Sequence, residues 1–390
     1  MNLILEADKI KIIHGLGGFN TSEHGELNVV DGKVVLDKVK AFNRARKMLN
    51  SGANTFRILR RGIWDVEKIF DWENDGYWPL LREYVGILHQ PFQGANPPSG
   101  ADVLIEIFDG CSETWMYEDY VKAKKLIRSM FANLGNLPYV KFGVGNELNK
   151  DTVLKNGTHQ QEARKLCREV VYPEFKNAGK IPFTYGASIC HPGTPGPVEW
   201  QKYEAEAAWD EKTALAIYRQ IHGVMDDTSE ELIVSVANWM KHPICVFWSV
   251  DGSWKGNSVC DRVFYKDKWQ IRPSPIEIKK AIRYWMDRVK NWNLPSGQIK
   301  YGFEYIGKSI NNDDCVANGV RAISEMHKEK FGVWPENYGK YPLDWVDPLP
   351  PEPPTPPEPP IPVPEKCTLW YHLKRLNFRA AWAHIRGEHG

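Results

Sequence analysis

Between residues 12 and 303, short apolar runs rich in β-branched and aromatic residues alternate with longer stretches whose apolar positions recur every three or four residues. That alternation predicts βα units and a parallel sheet. Eight runs are expected as strands: 12–16, 55–59, 103–108, 140–144, 183–185, 218–222, 245–249 and 300–303. Helices are expected over 36–50, 117–134, 159–177, 228–241, 275–292 and 314–331, several opened by Ser, Thr, Asp or Pro. Eight units in this order suit a closed (β/α)8 TIM barrel, an α/β fold, better than an open doubly wound sheet. No G-x-G-x-x-G follows the first strand, which removes the commonest reason for the open form.

The periodicity stops at a composition change. From Pro348 to Pro364 the chain is dominated by Pro and Glu, with Thr355 as a break. At ~3.1 Å per residue a polyproline II spacer of this length holds its ends on the order of 50 Å apart. Beyond it, Leu369, Leu373, Leu376 and Ala380 recur at helical spacing among basic residues. The expected organisation is therefore a barrel domain over 1–347, a linker over 348–365 and a short basic amphipathic tail over 366–390. The tail reads as a docking or adsorption segment, or as the truncated start of a further module.

Composition narrows the function. Charges nearly cancel at a formal net +1, so no global field draws the chain to nucleic acid or to an acidic membrane. No window reaches the length needed to cross a bilayer, and residues 1–9 lack the basic start, apolar run and cleavage site of a signal peptide. Sixteen Trp, 16 Tyr and 15 Phe exceed ordinary usage. Half of the tryptophans are assigned to core packing; Trp64, Trp115, Trp200, Trp248 and Trp254, just beyond expected strand ends, are candidates to line a cleft, where flat rings stack on sugars. The seven cysteines show no C-x-x-C pair and no metal-type spacing with histidine, and no cofactor is expected. Cys245 reads as a small core residue. Asn20 and Asn156 open acceptor sequons that matter only in a secretory pathway.

The chemistry gathers at strand ends. Tyr139 to Val144 is an apolar run that stops abruptly at Gly145-Asn146-Glu147, so a strand delivers a carboxylate at its own tip. Taken alone, Asn146-Glu147 suits the start of a helix equally well. The design recurs at 298–307, where an alternating run carries Glu304 between Phe303 and Tyr305 before a glycine. Two strand-tip carboxylates suggest an acid/base pair.

Read in order, several tips resemble clan A glycoside hydrolases, family 5 cellulases and mannanases among them. Ser51-Gly-Ala-Asn-Thr-Phe-Arg57 resembles their second-strand signature, Asn146-Glu147 their fourth-strand tip, and His222 the histidine of their sixth strand. The resemblance covers residues 10–332. It implies that Glu147 is the acid/base, that Asn146 holds a sugar hydroxyl, and that a partner carboxylate sits at the tip of the seventh strand. The strand count puts Asp251 on the seventh strand and Glu304 on the eighth, a departure from the pattern. Either 183–185 is an excursion and Glu304 is the nucleophile, or Asp251 is the nucleophile and Glu304 a ligand. Glu304, with retention, is the first choice. Asp is shorter by one methylene and would leave room for the water of an inverting route.

Physically, hydrolysing an acetal needs a proton for the leaving oxygen and negative charge below the developing cation. Arg57 is expected to keep the opposing carboxylate ionised; a structural ion pair is the plain alternative. Glu106 alternates with apolar neighbours and is expected to point into the barrel or to pair with Arg57. Phe247-Trp248-Ser249 resembles the family's eighth-strand tryptophan, which implies that Trp248 floors a sugar subsite; Trp254, Tyr305 and Asp109 join the candidate substrate-binding residues by position, with Asn149 and His191 as further ligands.

The expected partner is a β-linked polysaccharide or oligosaccharide met by a monomeric enzyme, secreted or released by lysis. Two rivals stand beside this reading: a non-catalytic carbohydrate-binding barrel, and a metal-dependent barrel hydrolase. The latter would have to use His14, Asp109, His191 and His222 without His-x-His or His-Glu-x-x-His spacing.

Overall fold

The computed structural model describes residues 11–18, 26–31, 33–60, 70–91, 100–109, 114–146, 148, 162, 165–183, 218–222, 245–252, 262–265, 268–271, 300–307 and 313–341. The chain divides into two units, Met1–Trp345 and Val346–Gly390. The linker 348–365 and tail 366–390 lie outside the described residues, as do the helices expected over 228–241 and 275–292.

Strands β1 (Lys11–Gly18), β4 (Thr55–Leu59), β5 (Asp102–Asp109), β6 (Val140–Asn146), β7 (Tyr218–His222), β8 (Cys245–Gly252) and β11 (Lys300–Gly307) form one seven-stranded sheet, in the order β6-β5-β4-β1-β11-β8-β7. Every neighbouring pair in it is parallel. Seven of the eight expected runs are thereby strands of one sheet. For the remaining run, the Phe183 amide donates to the Phe142 carbonyl of β6 at 2.7 Å, and residues 184 and 185 lie outside the described residues.

Two hairpins were not expected. β2 (Leu27–Val30) pairs with β3 (Lys33–Leu36), and β9 (Arg262–Tyr265) pairs with β10 (Lys268–Ile271), both antiparallel. In the first, Asp31 takes φ 50°, the left-handed geometry of a tight two-residue turn.

Helices α1 (Lys38–Asn50), α2 (Tyr77–His89), α3 (Tyr120–Leu134), α4 (Tyr172–Asn177) and α5 (Asp313–Phe331) lie along the sheet. Asp37 and Asp119 cap α1 and α3, accepting from the Lys40 and Lys122 amides at 2.9 and 2.8 Å. α2 has no side-chain cap and carries Pro79 in its first turn. A π-helical turn at Cys167–Val171 leads into α4. α5 packs on α1, α1 on α2, and α2 on α3, the same succession as the strands they follow.

The two faces of the sheet differ in chemistry. Alternate residues of a strand share a face. Ile12, Phe56, Ile58, Val103, Ile105, Ile107, Val140, Phe142 and Val144 belong to one apolar core with Ala45, Leu49, Leu81, Leu88, Leu126, Ile127 and Ile323 of the helices. The opposite face is also buried, and there stand Thr55, Arg57, Leu59, Leu104 and Glu106.

Candidate active site

Because all seven strands run the same way, their C-terminal ends share one edge. Asn146 ends β6 and is the register partner of Asp109 at the end of β5. His222 ends β7 opposite Ser249, Ser249 pairs with Glu304, and Glu304 pairs with Ile13. Asp251 pairs with Ile306, Ile306 with Gly15, and Gly15 with Arg57. Both candidate nucleophiles therefore occupy rows of the charged face, and Asp251 stands two residues nearer its strand's end than the partner of Glu304 does. Trp248 pairs with Phe303 and Ile221, and Phe303 with Ile12; Tyr305 pairs with His14, and His14 with Phe56. Those are rows of the helix-side core. Glu147, Trp254, Trp64, Trp200, His191 and Asn149 lie outside the described residues.

Below the edge sits a buried ion pair. Arg57 Nε donates to Glu106 Oε1 at 3.0 Å, with the side chains 4% and 0% exposed. A charge in such surroundings is tolerated only when paired. The expected pairing of Glu106 with Arg57 is thus observed, so at least this nitrogen of Arg57 is committed to a strand neighbour. On the same face β6 offers only Gly143 and Gly145 opposite Glu106 and Phe108, which removes side-chain bulk next to the pair. A Cβ at Gly145 would come within 2.9 Å of Leu148, which is buried in the core, and 2.7 Å of the Phe108 carbonyl oxygen. Tyr117 donates from its hydroxyl to the Leu148 carbonyl at 3.4 Å. The residues on either side of Glu147 are thereby held, one by the sheet and one by the core.

A second buried cation was not anticipated. Arg60, directly beyond β4, has no exposed surface. Its Nε donates to the Ile107 carbonyl at 2.9 Å and its Nη1 to Asp71 at 2.9 Å, its amide donates to the Glu106 carbonyl at 3.0 Å, and its own carbonyl accepts from the Tyr77 hydroxyl at 2.9 Å. One residue, through side chain and backbone together, thus clamps two strand ends to the start of α2. The only sequence signal is the abrupt step from Leu59 to Arg60, and burial of an arginine runs against hydropathy.

Aromatic rings border this clamp. Trp72 is buried beside Asp71, and Trp115, half-buried in the turn after β5, meets Phe108 edge-on at 6.4 Å. Lys122 Nζ lies 5.9 Å from the Trp72 ring and 5.0 Å from that of Trp115, and it pairs with Glu73 at 2.8 Å. Among the described residues no group of three or more His, Cys, Asp or Glu could hold a metal ion, and no helix is long and apolar enough to cross a membrane.

No protein-family model and no curated protein matches the sequence. Among solved structures, a β-mannanase from the blue mussel Mytilus edulis aligns over 80% of this chain and 91% of its own, at 10% identity and a TM-score of 0.45. A GH5-4 broad specificity endoglucanase from an uncultured bacterium aligns over 72% and 83%, at 12% identity and a TM-score of 0.42. A mannotriose complex of the Thermomonospora fusca β-mannanase aligns over 73% and 83%, at 12% identity and a TM-score of 0.36.

Proposed function

We propose that this chain is a (β/α)8-barrel glycoside hydrolase that cleaves β-linked polysaccharide with two carboxylates, Glu147 as acid/base and Glu304 as nucleophile. The observation that carries the reading is the strand order. Numbered along the chain, the sheet steps in one direction from β7 through β8, β11, β1, β4 and β5 to β6, and the first strand lies beside the last. Right-handed crossovers that never reverse direction put every helix on one face. An open sheet of this kind would expose its other face, yet Thr55, Arg57, Leu104 and Glu106 are buried there. A sheet curled on itself would remove the contradiction, and beside β6 the Phe183 amide donates to the Phe142 carbonyl at 2.7 Å.

In such a barrel the ends of β6, β8 and β11 ring one mouth, and chemistry at strand C-termini is the general habit of the fold. The proton of Glu147 passes to the glycosidic oxygen while the Glu304 carboxylate attacks the anomeric carbon; the C–O bond to the leaving sugar breaks and a glycosyl ester forms. Glu147, now a carboxylate, takes a proton from water as that water attacks the ester, which returns both acids to their starting states with net retention. Asn146 and His222 bind hydroxyls, and the Arg57–Glu106 pair is a fixed, charge-balanced floor. An enzyme of this kind meets its polymer outside the cell, and the Pro-rich linker with its basic tail would tether the barrel to another component.

One observation favours a second assignment of the nucleophile. Asp251 is on the strand next before β11 and shares the row of Arg57, so an inverting route through Asp251 fits the strand count. Glu147→Gln, Glu304→Gln and Asp251→Asn, assayed on β-glucans, mannans and xylans with analysis of the product anomer, decide between them. Glu147→Gln is expected to lower turnover by about 10²–10⁴-fold while sugar affinity persists. Loss in Glu304→Gln with a retained anomer supports the first assignment; loss in Asp251→Asn with an inverted anomer supports the second. Full activity in Glu147→Gln removes Glu147 from the mechanism, and sugar binding without turnover by any form sinks the enzyme reading.

A further inference from the structure

The segment after α5 is tied down along its length and yet holds its largest side chain in solvent. His327 Nδ1 lies 2.9 Å from the Val333 carbonyl oxygen, Asn337 Nδ2 donates to the Ala53 carbonyl at 3.1 Å, the Gly339 amide to the Asn50 carbonyl at 2.9 Å, and the Tyr341 amide to Asn50 Oδ1 at 3.1 Å. Amid these anchors Asn337 is 1% exposed, whereas Trp334 is 42% and Val333 51% exposed. Trp334 does not stand alone: its ring lies over Tyr338 with centroids 4.0 Å apart and planes 7° from parallel. Tyr338 in turn is backed by Gly52, where a Cβ would come within 3.3 Å of the phenol ring. Backbone, phenol and indole are thus stacked in layers, with exposed Glu336 and Lys340 nearby.

Leaving this much indole in water costs hydrophobic stabilisation, and a rigid base for it is what a flat ligand needs, since little ordering remains to be done on binding. The matching ligand is flat and apolar on one face and hydroxylated at its rim. A pyranose ring has that form. We propose that Trp334 and Tyr338 form a second saccharide-binding platform that takes one ring of a β-glycan polymer. The choice of β-glycan rests on the function proposed above; the platform itself rests on the stacked, anchored and exposed pair. Ala53 and Asn50 precede β4, so the platform lies at the N-terminal end of the strands, opposite the edge that carries Asn146 and His222. A polymer could occupy both without competition.

The test compares full-length Glu147→Gln protein with and without Trp334→Ala, in adsorption to insoluble β-mannan, cellulose and insoluble β-glucan, so that turnover does not consume the ligand. Trp334→Ala is expected to lower the partition onto at least one polymer by about ten-fold, with an unchanged melting temperature, and Trp334→Phe to keep most of the binding. In the otherwise unaltered enzyme, Trp334→Ala should spare hydrolysis of soluble oligosaccharides while slowing attack on the insoluble polymer. Equal adsorption of the paired proteins to all three polymers overturns the platform. Absence of hydrolysis in every form would refute the enzyme reading, and the adsorption comparison would still decide this one.

Discussion

The two ends of the parallel sheet are built to different rules. At the N-terminal end, Gly52, Ala53, Asn54, Ser324 and Asn337 meet through neutral hydrogen bonds, such as Ser324 Oγ to the Ser51 carbonyl at 2.7 Å, and the Ile12 amide to Asn54 Oδ1 at 2.8 Å. At and just below the C-terminal end stand the buried charges: Arg57 with Glu106, and Arg60, which pairs with the partly exposed Asp71. Neutral bonds and one partly exposed ion pair, Lys11 with Asp102 at 2.9 Å, close one end at little electrostatic cost. Buried ions at the other are expensive to desolvate and persist only with every partner in place. The difference teaches where to look for chemistry before any ligand is known: the end that tolerates electrostatic cost is the end with something to do.

The sharpest way to break that contrast is Glu106→Ala, which leaves the Arg57 guanidinium buried without its carboxylate. It should destabilise the fold by about 3–5 kcal/mol in urea unfolding; a loss below about 1 kcal/mol would mean that water reaches this face, and would undo the argument for a closed interior. Next comes Gly52→Ala at the neutral end. Gly52 has φ 105°, and a Cβ there would sit 1.9 Å from Ser324 Oγ. Backbone strain and the clash together should cost about 3 kcal/mol by the same measurement, and a neutral outcome would show that α5 slides freely past α1.

The smallest effect concerns alkaline pH. Burial, and then the nearby Glu336, push the Tyr341 phenol from 10.0 up to about 12. A folded-state value above the unfolded one means that the neutral phenol's contribution is intact below pH 10 and is lost as pH rises through about 12. Tyr341→Phe should therefore flatten the decline of the melting temperature across that window while leaving neutral pH little changed. An identical slope in the variant would assign the alkaline loss elsewhere, with Tyr120, also raised to about 12 mainly by burial, as the next candidate.

Much of this was legible from periodicity. The expected runs 55–59 and 218–222 coincide with β4 and β7, and other strands extend beyond their apolar cores because a parallel sheet can pair Gly and Asp residues that propensity scores poorly. The β2–β3 hairpin has its signal in Asp31-Gly32 between two valine-rich runs, but strands of 4 residues each are too short for alternation to stand out. Helix α2 has a weak sequence signature, since Gly76 gives no capping side chain and Pro79 resembles a breaker, although proline suits a first turn. The Glu106–Arg57 pair was readable from a single acid among alternating apolar residues. Arg60 was not, since its partners at 71, 77 and 107 converge only after the strands are in register. For the same reason the strand positions of Asp251 and Glu304 are sequence facts, whereas their relation to Arg57 is a fact of register.

The bonds that join Ser51 to Ser324, Ala53 to Asn337 and Asn50 to Tyr341 link positions 273, 284 and 291 residues apart. Strand β1 leaves the ribosome long before its neighbour β11. Until then its outer edge is an open template for any passing strand. Production of this protein should consequently be limited by what happens during translation, with slower elongation or chaperone supply raising the soluble yield more than any gain in native-state stability.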